Sequence, residues 1–181
     1  MTALAPPATA PDAGRSEEQR FLAFLESQQR ILYKIAYIYC RDAEERRDLM
    51  QEMAIHLWRA YPSFEGRSAP TTWTYRVAVN VAISYRRGQG RRLRETLPLD
   101  FATDVADQAF APPNEQTQRL HALIETLDEM SRALVLLYLE GFDHGEIAAL
   151  LGISPSNVST RLNRIKAKLQ AEHDLIKDDA P

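Results

Sequence analysis

The stretch from Phe142 to Leu162 leaves the backbone few choices. Asp143 stands at a helix N-cap position and Glu146 follows three residues later, a capping-box spacing with Asp in the Ser/Thr role. Ile147, Leu150 and Leu151 then form an apolar face at helical spacing. Gly152 sits where the chain leaves that helix, and glycine tolerates the left-handed exit such a turn often needs. Ser154 is a good N-cap for a second helix, and Pro155 suits its first position. The pattern is two helices joined by a tight turn.

The second helix has two unlike faces. Val158, Leu162, Ile165 and Leu169 recur at i, i+4, i+7 and i+11 and make one core-facing stripe. Ser156, Thr160, Asn163 and Arg164 point the other way, flanked by Arg161 and Lys168, with Lys166 on the opposite flank. No acidic residue occurs between Pro155 and Ala171. A solvated helix usually mixes both signs, so a one-signed face suits a polyanion. A helix held this way behind a tight turn is the form that enters the major groove of DNA. The plain alternative is an amphipathic hairpin with a basic surface.

The rest of the chain also carries helical periods, with no strand pattern and no internal repeat. The Ala/Pro/Thr-rich residues up to 16 read as a disordered lead-in. From Glu17 to Cys40, Phe21, Phe24, Leu25, Leu32, Ile35 and Ala36 recur at helical spacing. Asp42 caps a second helix to about Tyr61, with Leu49, Met53 and Leu57 on one face, ended by Pro62. A loop then leads to a third helix from Thr71 or Thr72 to about Arg87, closed by Gly88 and Gly90. Residues 91–116 hold Pro98, Pro112 and Pro113 among acidic residues and read as a linker. Leu120, Leu123, Ile124 and Leu127, then Ala133, Leu134, Leu137 and Tyr138, open a second helical unit at 117–176. The expected fold class is all-α: two small helical domains, 17–90 and 117–176, joined by a flexible acidic linker, the second ending in a helix-turn-helix.

Charge refines the reading. Lys plus Arg number 22 and Asp plus Glu 25, a formal net charge of -3. The signs are segregated: Arg76, Arg86, Arg87, Arg91, Arg92 and Arg94 cluster mid-chain, and Arg161, Arg164, Lys166 and Lys168 near the end. Two basic patches on an acidic background point to two nucleic-acid contacts and a surface for another partner. Cys40 is the only cysteine, so no intrachain disulfide forms; it reads as a small buried hydrophobe. The four histidines lack metal-ligand spacing. No metal or cofactor is expected, and no nucleophile-base constellation marks an enzyme. No apolar run nears the roughly 20 residues that span a bilayer, and no signal-peptide order is present, so a cytoplasmic protein without a membrane partner is expected.

The third helix is the second carrier of function. Trp73, Arg76, Asn80, Ser84 and Arg87 share one sector of its wheel, while Val77, Ala78, Val81 and Ala82 spread over the core side. Arg, Asn and Ser bond to phosphates and base edges. Trp73, Tyr75 and Tyr85 supply flat faces, and aromatics beside cations are what unpaired nucleic acid needs. The competing reading puts these aromatics in the core.

Three runs together resemble a known family. They are Asp48-Leu49-Met50-Gln51-Glu52, then Leu57-Trp58-Arg59-Ala60 and Phe64, then Thr72-Trp73-Thr74-Tyr75-Arg76-Val77-Ala78-Val79-Asn80. They resemble the promoter-opening domain of bacterial RNA polymerase sigma factors of the sigma-70 family, and Glu140 to Leu169 resembles their promoter-upstream domain. Two such domains with no middle domain are similar to the extracytoplasmic-function (ECF) group. The resemblance implies that Asp48, Leu49, Gln51, Glu52 and Leu57 grip the clamp helices of the largest subunit of core RNA polymerase. It implies that Phe64, Trp73, Arg76, Asn80, Ser84 and Arg87 capture the −10 element of promoter DNA as an unpaired strand. It implies that Ser156, Asn157, Ser159, Thr160, Arg161, Arg164 and Lys168 read the −35 element as a duplex, and that an anti-sigma factor is a further partner. The linker would thread towards the polymerase active-site and RNA-exit channel.

One departure stands out. The family usually has acidic residues before the Leu-x-Gln-Glu run, where this chain has Arg46 and Arg47 with only Asp48 retained. Weak polymerase binding until a modifying kinase or partner supplies negative charge is one expectation; compensation by Glu44 and Glu45 is the other. The rival function is a helix-turn-helix transcription regulator without polymerase affinity, which leaves the Arg76/Asn80 stripe unexplained.

Overall fold

Most helix starts among the described residues are set by short polar side chains that satisfy otherwise unpaired backbone N–H groups. Ser16 and Gln19 form a reciprocal capping box. Asp42 accepts from the N–H groups of Glu44 and Glu45, at 2.7 and 3.1 Å. Asp128 accepts from the Ser131 N–H at 2.9 Å, and Asp143 and Glu146 close the expected capping box. The computed structural model of the chain describes residues 16–88 and 115–178. The lead-in, most of the expected linker and Arg91, Arg92 and Arg94 lie outside the described residues.

The elements among the described residues are α1 (Glu17–Tyr39), α2 (Ala43–Ala60), a 3-10 turn (Tyr61–Ser63), α3 (Pro70–Arg86), α4 (Glu115–Glu125), α5 (Glu129–Leu139), α6 (His144–Leu151) and α7 (Pro155–Asp178). No strand is among them, so the all-α expectation holds. Pro62 sits inside the 3-10 turn after α2 rather than directly on the helix end. Pro70 opens α3 one or two residues before the expected threonines, because proline lacks only an N–H that the first turn leaves unpaired anyway.

α1, α2 and α3 pack pairwise around Phe21, Leu25, Leu32, Leu49, Met53 and Leu57, all fully buried. Each such side chain contributes about 1.5–3 kcal/mol on burial. α5, α6 and α7 pack around Leu134, Leu137, Ile147, Val158 and Leu162. These two sets of helices also meet. α1 lies against α4 and α5, and α3 lies against α5 and α6, so the buried residues join into one cluster.

That second contact explains the wide buried arc of α3. Tyr75, Val79 and Ile83 are at most 5% exposed, although the helical wheel placed only Val77, Ala78, Val81 and Ala82 on the core side. Tyr75 stacks edge-on to Phe142, with centroids 5.3 Å apart. α1 and the residues just after it contribute polar groups to the same contact. Lys34 pairs with Glu140 at 2.7 Å, Arg41 with Glu125, and the Tyr39 hydroxyl donates to the Glu129 carbonyl at 2.7 Å. Burial pushes the Tyr39 pKa up, which keeps the hydroxyl a donor. Arg132 donates to the carbonyls of Leu127 and Glu125 at the end of α4, and to that of Ile38 near the end of α1.

Candidate nucleic-acid interface

α7 is presented by the turn before it. Gly152 adopts φ 67° and ψ 33°, the left-handed region where glycine alone is unstrained. The Ile153 N–H then reaches back to the Ala148 carbonyl at 3.1 Å, which closes the end of α6. The Ser154 hydroxyl accepts from the Asn157 N–H at 3.2 Å and starts α7. Val158, Leu162 and Ile165 face the core as the periodicity dictates.

The opposite face carries the expected groups. Ser156, Asn157, Thr160, Arg164 and Lys168 are exposed, while Ser159 and Arg161 are half-buried at its edges. Arg161 Nε donates to Asn157 Oδ1 at 2.8 Å, which fixes the guanidinium and leaves its terminal nitrogens for a ligand. Lys168 Nζ donates to the Thr126 carbonyl at 3.2 Å. Asn157, Thr160, Arg161, Arg164 and Lys168 line one wall of an open cleft of about 680 Å³; Asp128 and Ser131, at the start of α5, line the other. Burial alone would raise the Asp128 pKa. The backbone and hydroxyl hydrogen bonds from Ser131, with Arg161 nearby, outweigh it and hold the carboxyl below its usual range. This far wall was missed in the sequence, although Asp128 before the apolar run Ala133–Leu137 is an N-cap signal.

On α3, Arg76, Asn80, Ser84 and Arg87 are all exposed along one sector. Asn80 Nδ2 donates to the Arg76 carbonyl at 2.7 Å, which holds the side chain along its own helix. Beside them runs a groove of about 360 Å³ between α2 and α3, lined by Glu52, His56, Arg76, Asn80, Ser84 and Tyr85. Glu52 and His56 approach to 3.5 Å on its α2 wall. Glu52, expected on the polymerase side, therefore shares a groove with Arg76 and Asn80, expected on the DNA side. Only the crossing of α2 and α3 brings them together.

Two aromatics expected to stack on bases are placed otherwise. Trp73 is 8% exposed and Tyr75 4%. Trp73 packs against Phe64 and Phe24, with centroids 4.9 and 5.6 Å away, and Tyr75 faces Phe142. The cause is Phe64, which folds back from the loop onto Phe24 and Tyr61 and covers Trp73. Phe64 and Trp73 thus anchor the loop into α3, and Tyr85, half-buried, is the aromatic left beside the Arg76/Asn80 face.

On α2, Asp48 and Gln51 are exposed and Glu52 half-buried, but Leu49 and Leu57 are fully buried. In this structure those leucines hold the helix in place and the polar residues form its outer face. Arg46 is also occupied. Its guanidinium donates to the carbonyls of Cys40 and Arg41 and lies 5.7 Å from the centre of the Tyr37 ring. It caps the end of α1, a favourable place for a cation at a helix C-terminus, whereas Arg47 is exposed. Cys40 is buried, and burial pushes its thiol up to about 11. Among the described residues no cluster of His, Cys, Asp and Glu has the makings of a metal site, and no helix is long and apolar enough to cross a membrane.

The family model for sigma-70 region 2 matches residues 24–92, and that for sigma-70 region 4 matches residues 117–169. The ECF RNA polymerase sigma factor SigX of Bacillus subtilis is 29% identical, over 90% of this chain and 88% of its own length. The RNA polymerase sigma-H factor of Pseudomonas aeruginosa is 31% identical, over 84% and 85%. The sigma factor RpoE of Bartonella quintana, solved with the anti-sigma factor NepR, shares the fold with a TM-score of 0.60 at 22% identity, over 90% of this chain and 98% of that one. The α2–α3 groove falls in the first matched region and α7 in the second, in the order the family has them. The chain belongs to the ECF group of the sigma-70 family of RNA polymerase sigma factors.

Proposed function

We propose a division of labour by which this sigma factor directs core RNA polymerase to promoters. α7 reads the −35 duplex: its exposed Ser156, Asn157, Thr160 and Arg164 enter the major groove, while Arg161 and Lys168, across the cleft from α5, meet the phosphate backbone. α3, with Arg76, Asn80, Ser84 and Arg87, holds the −10 element as an unpaired strand, and Phe64 and Trp73 fix the loop that leads into it. Asp48, Gln51 and Glu52 on the outer side of α2 meet the polymerase clamp helices. The domains are residues 17–90 and 117–176.

The observation that carries this reading is the pair of exposed, hydrogen-bonding, acid-free sectors on α3 and α7, each held on a helix whose other side is core. Neither sector need bind tightly alone, because attachment to polymerase raises the effective concentration of one for its element once the other is engaged. The work is recognition rather than catalysis, and its place is the cytoplasm, with polymerase and promoter DNA. An anti-sigma factor is the regulator we propose, on the fold shared with the NepR-bound relative.

Gel filtration with core polymerase, followed by run-off transcription on genomic fragments, tests the reading. Co-elution and discrete start sites are expected. Duplex binding without co-elution would instead mark a regulator that lacks polymerase affinity.

A further inference from the structure

We infer that Arg161 sets what Asn157 reads: the two side chains form one donor-only head that selects guanine over adenine in the −35 duplex. This deepens the assignment of α7 to that element and rests on it. Asn157 is the third residue of α7 and is exposed. The first turn of a recognition helix is the part that meets base edges in the major groove. An asparagine with both ends of its amide free pairs with adenine there, accepting from N6 and donating to N7. In this chain the oxygen is already taken. Arg161, one turn further on, donates from Nε to Asn157 Oδ1 at 2.8 Å. Only the oxygen of an amide can accept that proton, so the Nδ2 group is what remains for a ligand.

Both members of the pair are held from behind. The Ser154 hydroxyl accepts from the Asn157 N–H at 3.2 Å and fixes its backbone. Arg161 is half-buried on one wall of the cleft, with Asp128 on the other, and its charge helps hold the Asp128 carboxyl ionised. A guanidinium has no acceptor, so the pair offers protons and nothing that receives one. Guanine answers with two acceptors, N7 and O6. Adenine sets its N6 amino group beside N7, and that group then meets N–H donors with no acceptor in reach. A donor left unpaired in the contact counts against adenine. The terminal nitrogens of Arg161 go to the phosphate backbone, so Arg161 acts on the base through Asn157, as a positioning residue.

Selection from a promoter library tests this with the full-length chain on core polymerase. The template is a promoter mapped by run-off transcription, its −35 element is randomised, and the bound templates are sequenced. The position read by Asn157 is the one whose preference Asn157→Ala abolishes, and guanine should exceed adenine there by about tenfold. Arg161→Lys keeps the charge but puts a methylene where Nε stood, which returns the oxygen of Asn157 to the groove. The guanine-to-adenine ratio at that position should then fall by about tenfold, with the salt-dependence slope unchanged. Arg164→Lys should leave that ratio alone. A native preference for adenine at that position overturns the inference. So does a ratio that Arg161→Lys does not move in a variant with native helical circular dichroism, or the lack of any position that depends on Asn157. In each of these cases, −35 preferences that still depend on Arg164 leave the α7 assignment standing. If neither Asn157→Ala nor Arg164→Ala alters any −35 preference, that assignment falls and the inference falls with it.

Discussion

Replacing Gly152 by alanine should destabilise the helix-turn-helix by about 1 kcal/mol without any clash. The residue holds φ 67° and ψ 33°, and a Cβ built there meets no atom within 4 Å. The whole penalty is therefore conformational. An L-residue with a Cβ loses about 1–2 kcal/mol in the left-handed region, and alanine recovers about 0.4–1 kcal/mol by restricting the unfolded chain. The net loss should lower the midpoint of thermal unfolding by roughly 2–4 °C. Gly152→Asn should lose less, because asparagine tolerates this region better than alanine. Urea denaturation followed by far-UV circular dichroism measures both. The reasoning is refuted if alanine matches the native protein, or if asparagine is no better than alanine. A loss above about 3 kcal/mol would also refute it, because it would require a steric clash that the open space around Gly152 does not contain.

Other outcomes follow from the same geometry. Arg164→Ala should weaken −35 duplex binding and lower the salt-dependence slope by about one, read by titrating salt in a duplex-binding assay. Asn80→Ala should reduce strand opening in permanganate footprints while polymerase co-elution stays intact; native-like footprints would remove the α3 assignment. Leu134→Ala, at a fully buried site, should cost about 2–5 kcal/mol in urea unfolding. The hydrogen bond from Arg41 holds the Glu125 carboxyl below its usual value of 4.5. A depressed carboxylate contributes stability that is present above the unfolded value and lost as pH falls through the folded one. The stability difference between the native protein and Arg41→Ala should therefore be largest above pH 4.5 and vanish in stronger acid, as pH-dependent denaturation would show.

The caps and the 3.6-residue period were legible in the sequence because each signal spans a turn or two of one helix. Asp42, the Asp143–Glu146 box, the Gly152 exit and the Ser154-Pro155 start all act on N–H and C=O groups within four residues of themselves. The stripe of Val158, Leu162 and Ile165 needed only the helical repeat to place it, and its opposite face followed by rotation. Fold class and the chemical character of the two candidate faces were thus written locally, and the three sigma-like runs added their order.

Tertiary structure decided what depends on partners far along the chain. Leu49 and Leu57 stand beside exposed polar residues in the sequence, but the α1–α3 core takes them in. Trp73 looked free to stack until Phe64 covered it, and Tyr75 until Phe142 met it. Arg46 looked like a charge defect, yet the end of α1 gives it a capping role. Lys34 and Glu140 lie 106 residues apart, and no local pattern pairs them. Helical propensity and capping act over a few residues, so they fix which faces exist. Burial and charge pairing act across space, so only the packed molecule fixes which of those faces reach the solvent and which close on one another.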